Sequence, residues 1–458
     1  MASPDEDRGS GDVTQLSSAD QELLLGLQHE GAAGHGTSSG EGWAEDKSQV
    51  TKKERWGWYL YEAAQQVYPT SVLLSFLPPF LRQIASACAD EEDNVYLGSV
   101  PIAASSLASY CVSISVFFQI FVFLGFGAMA DFGNRRKRLL VMFSLLTAIS
   151  TGAIVFTTSE GCLWWLGGLL LIFSNVCYGA ALVFFNAFLP VLVRYHPRVL
   201  KSYEEHNVHD PDLVARAQHI RAVQEVKSSV EHDMSSVGYI CGYAGSLILL
   251  FVNLAIFAGF KFSGVDEMWG YRLNIFLAAA WFFFFALLCF SMMKVRPGPP
   301  LPRGTNYATF SVKRIFSTLR KAPKLKDTFL FLLSFFIYSD GFSTITYVSS
   351  QFADNELHFE ALEIAMLLVT TMIAGTLGAF LFLWLNRKGL SGKTILFINM
   401  TVMGILPVYS FFALTTKMEM FILGVPFGLQ IGSIQAFSRS TFAELIPKGY
   451  EAEFYSFY

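Results

Sequence analysis

Three ionisable side chains stand inside long apolar runs of this sequence: Glu62, Asp340 and Arg439. A charge in hydrocarbon is costly unless it is paired or faces a water-filled cavity, so each is a candidate for binding a solute or exchanging a proton. Asp340 can meet a substrate amine or carry a coupled proton; a structural hydrogen bond to a neighbouring helix is its alternative. Arg439 offers a planar fork that suits a carboxylate, against pairing with Glu444 or snorkelling to an interface. Glu62 lies about a turn into its run, where an acid can also simply reach water. Asn186, Gln430 and Gln435 are polar without charge. A zwitterion in an apolar pocket needs a few such groups, and interhelical hydrogen bonds use the same atoms.

Enzymatic chemistry has no support in the sequence. There is no phosphate loop, nucleophile elbow, Ser–His–Asp arrangement or metal-ligand spacing, so no cofactor and no metal site are expected. Cys111, Cys177, Cys241 and Cys289 fall inside apolar runs and read as small hydrophobes. Cys88 and Cys162 adjoin two loops assigned to one side; a bridge between them is open, with free thiols as the default.

The elements that must position these residues are membrane helices. Hydrophobic residues make up 53% of the chain and charged ones only 15%, and mean hydropathy is +0.42; one soluble core cannot bury that much apolar surface. The expected fold class is therefore an all-α polytopic membrane protein. Ten spans are expected, at about 57–83, 98–130, 137–157, 163–193, 236–260, 271–293, 328–350, 360–385, 393–415 and 418–445. Lys and Arg cluster before the first span and after the second, fourth, sixth and eighth, which puts those connections and the N-terminus in the cytosol. The net charge of -4 gives no footprint for nucleic acid.

Residues 1–50, rich in Gly, Ser and acids, read as a disordered cytosolic tail. Within it Asp20, Leu24 and Leu25 have the spacing of an acidic dileucine signal for a sorting adaptor, or a chance match. Residues 56–296 form a six-helix bundle, 297–327 a Pro-rich linker ending in a basic amphipathic helix suited to anionic lipid, and 328–458 the second bundle. The connection at 194–235 reads as charged and solvated, helical from Ala215 to Val230.

The loop after the second span runs Gly127, Ala128, Met129, Ala130, Asp131, Phe132, Gly133, Asn134, Arg135, Arg136, Lys137, Arg138. Gly127 permits close helix approach, Asp131 accepts from a helix terminus or an Arg, and Gly133 permits a tight turn. This resembles the signature loop of the major facilitator superfamily, where it implies a gate latch between two bundles, Arg135 and Arg136 included. A weaker echo, Asn386 to Lys393, stands in the second half. Further strings narrow the resemblance: WGWYLYE at 56–62, FNAFLP at 185–190, the Gly and Tyr residues at 238–245, YSDG at 338–341, and Gly428 through Arg439 to ELIP at 444–447. Together they resemble the autophagy-related vacuolar amino-acid effluxer family of that superfamily.

The resemblance implies a multi-pass vacuolar, lysosome-like membrane location and release of neutral amino acids such as leucine, isoleucine and tyrosine to the cytosol by alternating access. It also implies that the first, fourth, seventh and tenth helices line the cavity, which is where Glu62, Asp340 and Arg439 fall. Glu62, Ala64 and Gln65 depart from the family's pattern of Asp, a small residue and Asn. Twelve helices are implied and ten are present, so a truncated product, an incomplete gene model or a helper partner is the expectation. The rivals are a facilitator for another small solute and a transport-dead regulator.

Overall fold

The structure is a computed structural model and describes residues 46–458 except 159–161, 209, 265, 301–313, 315–317, 319, 321–324 and 360. The proposed sorting signal at Asp20, Leu24 and Leu25 and most of the Pro-rich linker lie outside the described residues.

The expected first span is not one helix. Thr51 caps α1 (Lys52–Gln65) by accepting from the Glu54 amide; a wide π-type segment, Tyr68–Phe76, follows; then comes α2 (Leu77–Ser86). Pro69, Pro78 and Pro79 lack amide donors, so the ladder re-registers here, with the Leu77 amide reaching back five residues to Val72. Thr70 and Ser75 hydroxyls return donors to the carbonyls of Gln66 and Thr70. A hairpin, β1 (Asn94–Leu97) and β2 (Val100–Ala103), precedes α3 (Leu107–Ala130), so the second span starts later than the sequence indicates.

The first bundle continues with α4 (Arg135–Ile154), α5 (Trp164–Asn186), the short α6 (Phe188–Arg194) and α7 (Pro197–Glu205), α8 (Leu213–Ser263) and α9 (Glu267–Met292). The second holds α10 (Lys326–Asn355), α11 (Ala361–Arg387), α12 (Gly392–Ala413), α13 (Lys417–Leu445) and α14 (Glu451–Tyr455). Among the described residues nine helices are long and apolar enough to cross a membrane; the broken run from α1 through α2 is the remaining expected span. Outward faces carry bare aromatics such as Phe117, Phe121, Phe397 and Phe411, as a surface bathed in lipid allows.

The solvated connection expected before residue 236 is corrected: α8 runs 51 residues without a break. Ala217, Ile220, Val223 and Val230 recur at helical spacing and are buried, which continues the helix through its charged sequence. α8 packs on α1 and α9 in its own bundle and on α11 and α13 in the other, so it forms the seam. Gly245 lets it approach α1: a Cβ there would sit 2.8 Å from that of Ala63.

At the hairpin end, Cys88 and Cys162 form a disulfide, correcting the default of free thiols; their Cα atoms lie 5.7 Å apart. The basic clusters gather at the opposite end, where Arg296 grips both oxygens of Glu54 at 2.7 and 2.9 Å.

Candidate functional site

A cavity of about 600 Å³ lies between the bundles. α3 and α5 give it Gln119, Asn175, Tyr178 and Asn186; α10 and α13 give it Tyr338, Gln435 and Ser438, and Tyr455 and Tyr458 also line it. Interhelical hydrogen bonds hold these groups: Asn175 donates to Ser115 at 2.6 Å, Tyr243 to Gln435 at 2.6 Å and Tyr338 to Ser438 at 2.5 Å. Among the described residues no charged side chain lines the cavity. Of the sequence candidates, Asn186 and Gln435 line it. Gln430 is buried outside the lining with Oε1 lacking a partner, and Asp340 is exposed on α10 between lining residues Ser339 and Gly341.

Behind the wall formed by Asn186 and Tyr239 sits an ion pair joining the bundles. Glu62 of α1 and Arg439 of α13 are both fully buried and meet at 2.8 Å. Arg439 donates further to the Ser235 hydroxyl and carbonyl, both at 3.0 Å, and to Asn186 Oδ1 at 3.4 Å. Tyr239 and Trp58 flank the guanidinium with ring centres 4.2 and 4.9 Å away. α8 can pass this close because positions 238 and 242 are glycine: a Cβ at Gly242 would meet Glu62 Cγ at 3.0 Å. The sequence alternatives for Arg439 are therefore corrected. Complete burial excludes snorkelling, and Glu444 instead accepts from Ser228 at 2.7 Å, with His232 at 3.4 Å. Glu62 is the acid that meets Arg439.

The basic loop closes one end of this assembly. Asp131 accepts from the amides of Ala452 and Glu453 at 2.8 and 3.1 Å and from Arg136 at 2.8 Å. Glu451 takes Arg136 at 3.1 Å and Arg194 at 2.8 Å, and Glu453 takes Arg314 of the linker at 2.5 Å. Gly133 turns at φ 57° and exchanges amide hydrogen bonds with the linker at Gly298 and Pro299. Gly127 faces Ser456 so closely that a Cβ would fall 2.7 Å from its Cβ. Arg135 opens α4 half-buried. Burial pushes the Asp131 acid up to about 6, although Arg136 opposes it; burial of Glu451 is outweighed by Arg194 and Arg136, which hold it down at about 2. The second-half echo is tied differently: Asp233 of α8 receives Arg198 at 2.7 Å and Arg387 at 2.8 Å.

Sequence reasoning missed Asp233, Glu231 and the partners of Asp131. Two acids at 451 and 453, opposite in sign to the 135–138 run, were the available signal.

The profile described as vacuole effluxer Atg22 like matches residues 50–458. The chain belongs to this family. Autophagy-related protein 22-1 of Emericella nidulans is 30% identical, over 90% of this chain and 83% of that protein. The protein of the same name from Aspergillus niger is 29% identical, over 90% and 82%. Among solved structures, the proton:xylose symporter XylE bound to 6-bromo-6-deoxy-D-glucose superposes with a TM-score of 0.53 at 13% identity, covering 89% of this chain and 88% of that one. The facilitator FucP in its outward conformation gives 0.52 at 12%, covering 89% of each. The fold of this Atg22-like chain is thus that of major facilitator superfamily transporters, and its family is that of vacuole effluxers.

Proposed function

We propose that the protein exports neutral amino acids of the leucine, isoleucine and tyrosine class from the vacuole to the cytosol after autophagic protein breakdown. The observation that carries this reading is the inter-bundle cavity, whose wall among the described residues carries no charge, beside the buried Glu62–Arg439 pair. Aromatic and amide groups suit an uncharged side chain, whereas a multiply charged solute would meet no counter-charge on the wall. Asn186 and Gln435 hydrogen-bond the solute's polar groups, and the Tyr rings pack its side chain.

Transport runs by alternating access, the bundles rocking about the cavity. The Asp131 latch is the cytosolic gate and the disulfide end faces the lumen, an orientation supported by the Lys and Arg gathered at the latch end. The N-terminus is then cytosolic. The test is counterflow of labelled leucine and tyrosine in proteoliposomes, with a sugar as control. Saturable amino-acid exchange is expected; sugar exchange without amino-acid exchange overturns the substrate assignment.

A further inference from the structure

Glu231 stands on α8 near the latch, and nothing above uses it. Its side chain is fully buried, and neither carboxyl oxygen has a hydrogen-bond partner among the described residues. An ionised carboxylate without donors in a dry interior is too costly to persist, and such groups take a proton instead. The charges around it are Lys227 one turn back on α8, Arg194 on α6 and Glu444 on α13, with Tyr455 of α14 in the same field. Neither cation donates to it: Arg194 holds Glu451 at 2.8 Å. Glu444 is engaged by Ser228 and His232. Four residues along the same face, Ser235 receives Arg439, so Glu231 lies between the latch and the buried pair.

We propose that Glu231 carries the proton of the transport cycle, holding it while the latch is closed and releasing it when the latch opens and Arg194 leaves Glu451 for Glu231. In that step the carboxyl O–H breaks, the proton passes to water admitted at the latch end, and the new carboxylate accepts N–H bonds from Arg194. Closing the latch returns Arg194 to Glu451, and the Glu231 carboxylate takes a proton again from hydronium in water admitted through the cavity from the disulfide end. One buried acid thereby ties gate opening to proton release on the gate's side. The inference rests on the transporter reading for its meaning, but Glu231's charge state can be read without any solute.

The experiment is difference infrared spectroscopy of the full chain in lipid nanodiscs at neutral pH, comparing wild type with Glu231→Gln and Asp340→Asn. The carbonyl stretch of a protonated carboxylic acid is expected in wild type and in Asp340→Asn, and lost in Glu231→Gln. Glu231→Asp, which keeps the acid, is expected to shift the band rather than remove it, separating the assignment from misfolding. Glu451→Gln, which loosens the hold on Arg194, is expected to weaken the band in the otherwise native chain. A band that survives Glu231→Gln, or vanishes in Asp340→Asn instead, overturns the proposal. Solute exchange without the Glu231 band sinks this inference alone, and the band without exchange sinks the transport reading alone.

Discussion

Glu62→Gln removes one charge from a fully buried pair and leaves Arg439 without an ionic partner. At a contact of 2.8 Å and an effective dielectric near 20, the lost attraction is roughly 6 kcal/mol. Arg439 keeps its bonds to Ser235 and Asn186 and its stacking on Tyr239, and the introduced amide would still offer a carbonyl oxygen. The expected loss of stability is therefore about 3 kcal/mol, at the low end of what an orphaned buried charge costs. Removing the orphan as well, in Glu62→Gln with Arg439→Gln, is expected to recover at least about 1 kcal/mol, since two neutral amides can pair. Equilibrium unfolding in mixed micelles can be followed by labelling of Cys177 and Cys289, both buried and free. A single variant within about 1 kcal/mol of wild type, or a double variant as weak as the sum of its parts, would refute the reasoning.

Gly245→Leu should push α1 from α8, because even a Cβ would lie 2.9 Å from the Ala63 carbonyl oxygen; the expected cost is about 1–3 kcal/mol. Gly259→Ala, with open space around it, should cost far less in the same unfolding assay. The latch should tighten on mild acidification. Asp131 has its acid at about 6 when buried and near 3.8 when solvated, so the closed latch binds more protons and gains as pH falls through 6. Glu451, at about 2 closed and 4.5 open, opposes this only below 4.5. A spin-pair distance across the latch should shorten between pH 6 and 4.5, and lengthening there would contradict the assignment. Cys88→Ser should cost about 2–4 kcal/mol, the bridge closing a long loop, and reductant should bring wild type to the same stability.

Much of the architecture was legible because lipid imposes strict rules. Runs of apolar residues and alternating basic connections point to nine of the observed spans, and the residue types of Gly127, Asp131 and Gly133 single out the loop to which the Ala452 amide donates. The broken first span was hidden because apolar composition over 57–83 says nothing of where Pro69, Pro78 and Pro79 interrupt the ladder. The length of α8 was hidden because charge points to solvent, while the buried side of 213–235 is a sparse stripe. The pairing of Glu62 with Arg439 links positions 377 apart, and only the register of α1, α8 and α13 decides it. Glu231 was overlooked for the reason it is informative: an acid in a polar stretch looks ordinary until its burial is known.

The central claim is that the latch decides which end of the protein opens to the cavity. Ile345→Cys places a thiol on the cavity wall of α10, where a membrane-impermeant reagent can be offered from either side of oriented proteoliposomes. With the latch intact the thiol should react from the disulfide end, and adding Asp131→Ala, which removes both oxygens that accept the Ala452 and Glu453 amides, should shift reactivity toward the latch end. Equal reactivity from both ends, or no change on weakening Asp131, would contradict the account.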